Sequence, residues 1–459
     1  MRSTGLCLVC SRRLVCCGRG VSAWRVGDRW TVGLASGGLD GRGEWAVGVE
    51  IREVRGDEVA EWRRAVYAGF HADPVGTEVD VAYVAEQITE PGWALGAFDG
   101  GRCVATFQSF RHEVTAVGGR PVAANAVTRV TVAPTHRRRG LLSEMMARDL
   151  RAARERGDVL ASLIASEYPI YGRFGFGPAA WLTEYEIDVP RAGVVKDWAT
   201  PATGRLVQVD GERVRAEGPE LHERLRASRH GVVTRPEVFW RKLTGAYRRT
   251  GEAWTTPVHL MYLSDDGVLE GLATYRSDGR WDGSRPAATL TVEDLITTTP
   301  EAGRALWRHL CSIDWVVRVR TGGRAPDDPF AHWLGDPRAT RVQSSYDHLW
   351  LRPLDVPRLL ESRAYPVTDT LVLDVKDPLG LSGGRFLLDA TPTASSCTPT
   401  ALPPDLTLPL GSLATLWTGD ESPFHLRATS RLTAHTPTAT PRAHLLFTTP
   451  TRPWTPDIF

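Results

Sequence analysis

The sequence predicts a multidomain α+β protein, and three observations carry that reading. Its 459 residues are enough for two to four domains at roughly 100–200 residues each. From residue 49 onward, short strand-like and helix-like segments alternate. Apolar residues make up 42% and charged residues 24%, the balance of a soluble globular chain rather than a disordered one. No run approaches the ~18 uninterrupted apolar residues of a membrane span. Basic and acidic residues nearly cancel, 55 against 54, so no global field recruits nucleic acid, and charged ligands must be met by local patches.

The first 48 residues read as a flexible extension, with ten glycines and no apolar periodicity. Cys7, Cys10, Cys16 and Cys17 crowd it in a C-x2-C-x5-C-C spacing, which lacks the loop between ligand pairs that a zinc finger folds around. Arg12 and Arg13 interrupt the one candidate signal-peptide core. No metal and no export are therefore expected, and the location predicted is cytoplasmic. Cys103, Cys311 and Cys397 are too scattered for a disulfide framework.

Val59, Trp62, Val66 and Phe70 recur at helical spacing and predict a helix over 57–70. Trp93 to Phe98 and Cys103 to Phe110 read as strands around an Asp99-Gly100-Gly101 hairpin turn. Residues 127–132 alternate as a strand that Pro134 stops. A helix from Leu141 carries the stripe Leu141/Leu142, Met145/Met146, Leu150 and Ala153, closed by Gly157, and 159–164 form a buried strand. A second region, about 190–345, holds strands at 258–263 and 267–275 and a helix at 301–310. A third, from near Leu349, is rich in β-forming residues, and its Thr/Pro-rich stretches at 391–404 and 433–442 read as surface loops.

The most informative stretch is His136-Arg137-Arg138-Arg139-Gly140-Leu141-Leu142, between a strand and the first turn of a helix. Arginines oppose the macrodipole at a helix N-terminus, and an anion resolves the conflict. Free N–H groups of that turn, with Gly140 admitting close approach, make a phosphate cradle; the alternative is a solvated basic turn. Next, Ser166 to Gly177 follows a buried strand with three glycines and three aromatics from Tyr171 onward, which suits a wall beside a ligand rather than a helix. A core role for those aromatics is the competing reading. No Walker loop, G-x-S-x-G, H-E-x-x-H or paired-cysteine metal motif is present.

Arg137-x-x-Gly140-x-Leu142 resembles the acyl-CoA pyrophosphate motif of the GNAT N-acetyltransferases, with Leu142 departing from its last small position. V-T-V-A-P-T-H-R-R-R-G-L-L, followed about 25 residues later by A-S-E-x-x-I-Y-G-R-F-G-F-G-P-A, resembles the Eis (enhanced intracellular survival) acetyltransferases of actinobacteria over roughly 49–459, including P-L-G-S-L at 409–413 and the ending P-W-T-P-D-I-F. The resemblance implies a GNAT domain at 49–190, a second, degenerate GNAT domain at 191–345 and a sterol-carrier-like domain at 346–459. It also implies a homohexamer, acetyl-CoA as donor, and amines of cationic molecules such as aminoglycosides as acceptors.

By the same resemblance the donor lies along Val130, Thr131 and Val132. Its pyrophosphate meets Arg138, Arg139, Gly140, Leu141, Leu142 and Ser143, and Ser166 and Glu167 line the far side. Tyr171 is implied as general acid, since a phenol of reference pKa near 10 keeps its proton at pH 7. The C-terminal carboxylate of Phe459 is implied as general base, brought in by docking of Trp454, Ile458 and Phe459. Asp457 adds local acidity. A lipid-binding role for the C-terminal domain and acetylation of protein lysines remain open alternatives.

Overall fold

The computed structural model describes residues 48–72, 84–85, 93–193, 203–248 and 253–459, with the backbone of three short strands at Leu14–Val15, Val21–Val26 and Arg29–Leu34. Apart from those strands and Gly48, the extension expected over 1–48, with its four cysteines, lies outside the described residues.

The chain divides into two compact units, the first comprising Met1–Pro74, Glu90–Phe107 and Val130–Met145. In it, β1 (Glu50–Glu53) pairs antiparallel with β2 (Ala94–Asp99). Helix α1 (Val59–Gly69) buries Trp62, whose indole N–H donates to the Leu95 carbonyl at 3.0 Å. The hairpin forms as expected: Gly100 and Gly101 take φ of 56° and 84°, a left-handed pair that glycine adopts without steric cost. The chain then enters β3 (Arg102–Thr115). The last residues of β4 (Pro121–Val132) and the first of α2 (Leu141–Glu155) complete this unit, a 3-10 turn at Pro134–His136 lying between them. Pro134 lacks the N–H that would continue a strand ladder.

The second unit comprises Val75–Thr89, Gln108–Arg129 and Met146–Phe459. Helix α2 presents Met146, Leu150 and Ala153 as its buried stripe and ends at Gly157, φ 86°. Strand β4 then pairs in parallel with β5 (Leu160–Ile164). After α3 (Tyr168–Tyr171) and β6 (Gly177–Asp188) the pattern repeats. Strands β7 (Arg205–Val209), β8 (Val258–Leu263), β9 (Leu269–Ser277) and β10 (Ala288–Thr297) form an antiparallel run. Helix α4 (Pro300–Leu310) connects β10 to its parallel partner β11 (Val316–Arg324). Strand β12 (Thr340–Pro353) returns to pair with both β6 and β5. The sheet order β7-β8-β9-β10-β11-β6-β12-β5-β4-β3 thus places a strand of the second repeat between two strands of the first. It also carries the sheet past the division expected at 345/346.

A smaller five-stranded sheet follows: β13 (Asp369–Lys376), β14 (Gly384–Ala390), β15 (Ser395–Pro399), β16 (Leu406–Pro409) and β17 (Thr433–Ala434), in the order β15-β14-β13-β16-β17. Helices α5 (Leu410–Thr418) and α6 (Ala439–Phe447) cover a core of Leu371, Leu373, Leu388, Leu406, Leu413 and Leu446. The two stretches expected as surface loops are therefore partly structured. Ser395–Pro399 is an edge strand, where proline is tolerated, and 433–442 contains β17 and the first turn of α6. A helical turn is also present inside the 166–177 segment, where none was expected.

Candidate active site

The basic segment after β4 has the form of an anion cradle. The first intrahelical bond of α2 runs from the Glu144 N–H to the Gly140 carbonyl at 3.0 Å, so the N–H groups of Leu141, Leu142 and Ser143 have no partner within the helix. Gly140 sits at φ 82° with nothing within 4 Å of where a Cβ would be. Arg138, itself left-handed at φ 64°, and Arg139 are exposed and pair with none of the described residues. Arg137 instead turns back, its Nε donating to the Val132 carbonyl at 3.3 Å. Alongside, Thr131 and Thr106 share a hydrogen bond of 2.7 Å. Arg129, just before Val130, has φ 51°, a conformation that breaks strand geometry. These features suit a diphosphate: free amides, the positive end of a 15-residue helix, and two uncommitted guanidinium groups.

The second repeat has the same strand–helix–strand path but a closed helix end. Thr299 caps α4 by accepting from the Ala302 N–H at 3.3 Å, and Pro300 at the first position has no N–H to offer. No arginine or glycine lies among residues 290–299, just before it. The repeat expected to be degenerate therefore lacks the cradle that the first one has.

In the second unit, Ser166 and Glu167 are exposed at the end of β5, and Tyr171 is buried at the end of α3. The Tyr171 ring meets Phe176 edge-on at 6.3 Å. Burial, and then the charge of Glu167, push its phenol above the usual range, so the proton is held more firmly than in water.

The chain end is docked, by two of the three residues expected. Trp454 is buried, and its indole N–H donates to the Gly323 carbonyl at 3.3 Å. The Phe459 ring packs against Phe110 at 5.9 Å and His112 at 4.9 Å. Ile458, expected to dock, is 77% exposed. Asp457, read as a source of local acidity, is buried instead. Its Oδ1 accepts from Arg235 Nε at 2.7 Å, and its carbonyl accepts from His348 Nε2 at 2.9 Å. Burial favours its neutral form, but Arg235 and then His222 hold the carboxyl below its ordinary range.

Two further polar groups were not visible in the sequence. His112 Nε2 and Ser162 Oγ are 2.6 Å apart; burial, and then Arg226, lower the imidazole to about 3, so it is neutral beside Phe459. Asp149 in α2 accepts from Ser109 Oγ at 2.5 Å and Asn125 Nδ2 at 2.6 Å. Burial raises this carboxyl to about 6 in spite of those bonds. It ties α2 to β3 and β4. Among the described residues no group of three or more His, Cys, Asp or Glu is placed to hold a metal, and no helix is long and apolar enough to cross a membrane.

Comparison with known proteins agrees with this architecture. Residues 50–179 match an acetyltransferase (GNAT) domain family, 231–352 a second acetyltransferase (GNAT) domain family, and 356–456 a sterol carrier protein domain family. An N-acetyltransferase of Streptomyces avermitilis is 51% identical over 413 residues, 90% of this chain and 99% of that protein. N-acetyltransferase Eis of Mycobacterium tuberculosis is 35% identical over 310 residues, 66% of this chain and 72% of its own. The crystal structure of Eis1 from Mycobacterium abscessus matches with a TM-score of 0.76 and 30% identity, over 89% of this chain and 100% of that one. Two tandem GNAT domains, the first with an open cradle, followed by a sterol-carrier-like domain, place the chain in the Eis-like family of GNAT N-acetyltransferases, enzymes whose fold implies acetyl-CoA as co-substrate.

Proposed function

We propose that the protein transfers the acetyl group of acetyl-CoA directly to amines of cationic acceptors such as aminoglycosides, as a cytoplasmic homohexamer. The donor pyrophosphate takes Arg138, Arg139 and the amides of Gly140, Leu141, Leu142 and Ser143. The pantetheine arm follows Val130, Thr131 and Val132, with Ser166 and Glu167 on its far side. The acceptor arrives as an ammonium ion. The Phe459 carboxylate, charged at neutral pH because a terminal carboxyl titrates near ~3.5, attracts it and takes its proton, directly or through one water. The neutral amine attacks the thioester carbon, and backbone N–H groups near Val130 polarise the carbonyl oxygen. As the C–S bond breaks, Tyr171 gives its proton to the leaving thiolate and regains one, through solvent, from the attacking nitrogen as that nitrogen becomes the amide.

The observation that carries this reading is the docked chain end, with Asp457 buried and the Phe459 ring against Phe110 and His112. Termini are ordinarily loose, and a base has to be held within about 3.2 Å or one water of its proton. The test is thiol release against a panel of aminoglycosides, polyamines and lysine peptides, using the full chain and the same chain lengthened by one C-terminal glycine. One added residue moves the carboxylate by about 3.8 Å, so the lengthened enzyme is expected to lose transfer. Native turnover by that enzyme, or turnover of lysine peptides alone, refutes the proposal.

A further inference from the structure

We propose that Arg235, acting through Asp457, is the positioning residue that fixes the terminal carboxylate for catalysis; this rests on the reading of Phe459 as the base. Arg235 is sequestered, its side chain 1% exposed. Two of its nitrogens donate to Asp294, Nη2 to Oδ1 at 2.7 Å and Nη1 to Oδ2 at 3.0 Å. The third, Nε, donates to Asp457 Oδ1 at 2.7 Å. The guanidinium lies over Phe239, 4.0 Å from the ring centroid, with Trp240 at 5.3 Å. Asp294 therefore holds the arginine as a fixed fork, and the fork holds the tail.

A second grip acts on the main chain, where His348 Nε2 bonds the Asp457 carbonyl at 2.9 Å. The other carboxylate oxygen of Asp457 is held loosely, 3.8 Å from His222 Nε2 and 3.4 Å from Thr455 Oγ1. Two residues reach at most about 7 Å, so pinning residue 457 confines the carboxylate to a small volume. Packing of the Phe459 ring on Phe110 and His112 removes most of the freedom that remains. Ile458, 77% exposed, contributes no grip. The tail is thus held at 457 and 459, and the grip at 457 is ionic. Misplacing a reacting group by about 1 Å costs up to roughly a hundredfold in rate, which is the scale on which this lock acts.

The test compares Asp457→Asn with the glycine-extended chain, measuring turnover at saturating acetyl-CoA, donor affinity and the pH profile from 6 to 10, with kanamycin as acceptor. Asp457→Asn keeps the side-chain volume and leaves Arg235 paired with Asp294. Its turnover at pH 7 is expected to fall at least about tenfold with donor affinity within twofold. Without a placed base the reaction depends on amine already neutral in solution, so the deficit is expected to shrink as pH rises toward 10. The ionisable groups facing this tail are Arg235, His222 and His348 around Asp457, and His112 with Arg226 near Phe459. Arg235→Lys is expected to retain more turnover than Arg235→Met. Should Asp457→Asn prove unstable, His348→Phe tests the main-chain grip and is expected to give the same pH signature. If the extended chain is inactive while Asp457→Asn keeps native turnover, or loses it equally at every pH, the lock is refuted and the base assignment stands. If the extended chain is native, the base assignment fails and the lock with it.

Discussion

Replacing Arg138 with glycine is expected to move stability and donor binding in opposite directions. Arg138 is exposed, pairs with none of the described residues, and is held at φ 64°. A left-handed conformation costs an L-residue about 1–2 kcal/mol, while the greater freedom of glycine in the unfolded chain returns about 0.4–1 kcal/mol of that. The net is a gain of roughly 0–1.6 kcal/mol, or at most ~2 °C in Tm for a chain of this size. Donor binding loses one charge-assisted contact, worth about 1.5–3 kcal/mol when sheltered and about 1–2 kcal/mol at an open surface, so affinity is expected to fall roughly 5- to 30-fold. Arg139→Ala removes a charge from the same loop without the backbone relief, so it is expected to weaken binding comparably with no gain in Tm. Calorimetric titration with acetyl-CoA at two salt concentrations, beside scanning calorimetry, reads both quantities. Unchanged donor affinity in both variants refutes the cradle, and a clear fall in Tm for Arg138→Gly refutes the strain argument.

Tyr171→Phe is expected to lower turnover by roughly 10²–10⁴ with donor affinity retained, and because burial and Glu167 raise the phenol above 10.0, the alkaline fall of turnover is expected above pH 10; a native rate would make Tyr171 structural. His112 gives a stability test. Above pH 6.5 its folded and unfolded forms are both neutral, whereas from there down to about 3 the unfolded chain binds a proton that the folded chain refuses, so stability falls by up to about 1.4 kcal/mol per pH unit. His112→Gln, which keeps a partner for Ser162, is expected to lose that share of the acid sensitivity in urea unfolding between pH 7.5 and 5, and an unchanged slope would count against a buried neutral imidazole.

What the sequence discloses is local, and what it hides is distant. The cradle is legible because its arginines, its glycine and the helix start are consecutive, and the Asp99-Gly100-Gly101 turn for the same reason. The Asp457 lock is invisible because Arg235 and Asp294 lie far away in sequence. Ile458 misleads because apolar character was weighed without period: in an extended tail, alternate side chains face opposite sides, so burying Asp457 and Phe459 turns Ile458 outward. Proline content misleads likewise. Pro399 sits on an edge strand, and Pro441 falls in the first turn of α6, where its missing N–H would be unpaired anyway. The insertion of β12 between β5 and β6 pairs residues of separate repeats, which no local pattern encodes.

The same long-range logic ties the sterol-carrier-like domain to the turn that bears Tyr171. Arg352, with a fully buried side chain, donates from Nε to the Phe174 carbonyl at 2.6 Å, from Nη1 to the Pro353 carbonyl at 2.9 Å, and from Nη2 to both oxygens of Asp377 at 3.0 Å. Asp377 also accepts the N–H groups of Leu379, Leu381 and Ser382, so its charge stays satisfied from two directions. One guanidinium therefore serves both a carboxylate of the C-terminal domain and a carbonyl three residues beyond Tyr171. The two duties separate by substitution. Asp377→Asn leaves the Nε bond in place and is expected to reduce stability with turnover largely kept. Arg352→Lys retains a cation near Asp377 but loses the planar fork, so turnover is expected to fall together with stability. Arg352→Met, which strands a buried carboxylate, is expected to cost about 3–5 kcal/mol, part of it recovered in the double variant with Asp377→Asn. Urea unfolding and thiol release on the same four proteins distinguish the outcomes. If Asp377→Asn loses as much turnover as Arg352→Lys, or if neither loses any, Arg352 does not act through the Phe174 carbonyl and only braces the domain.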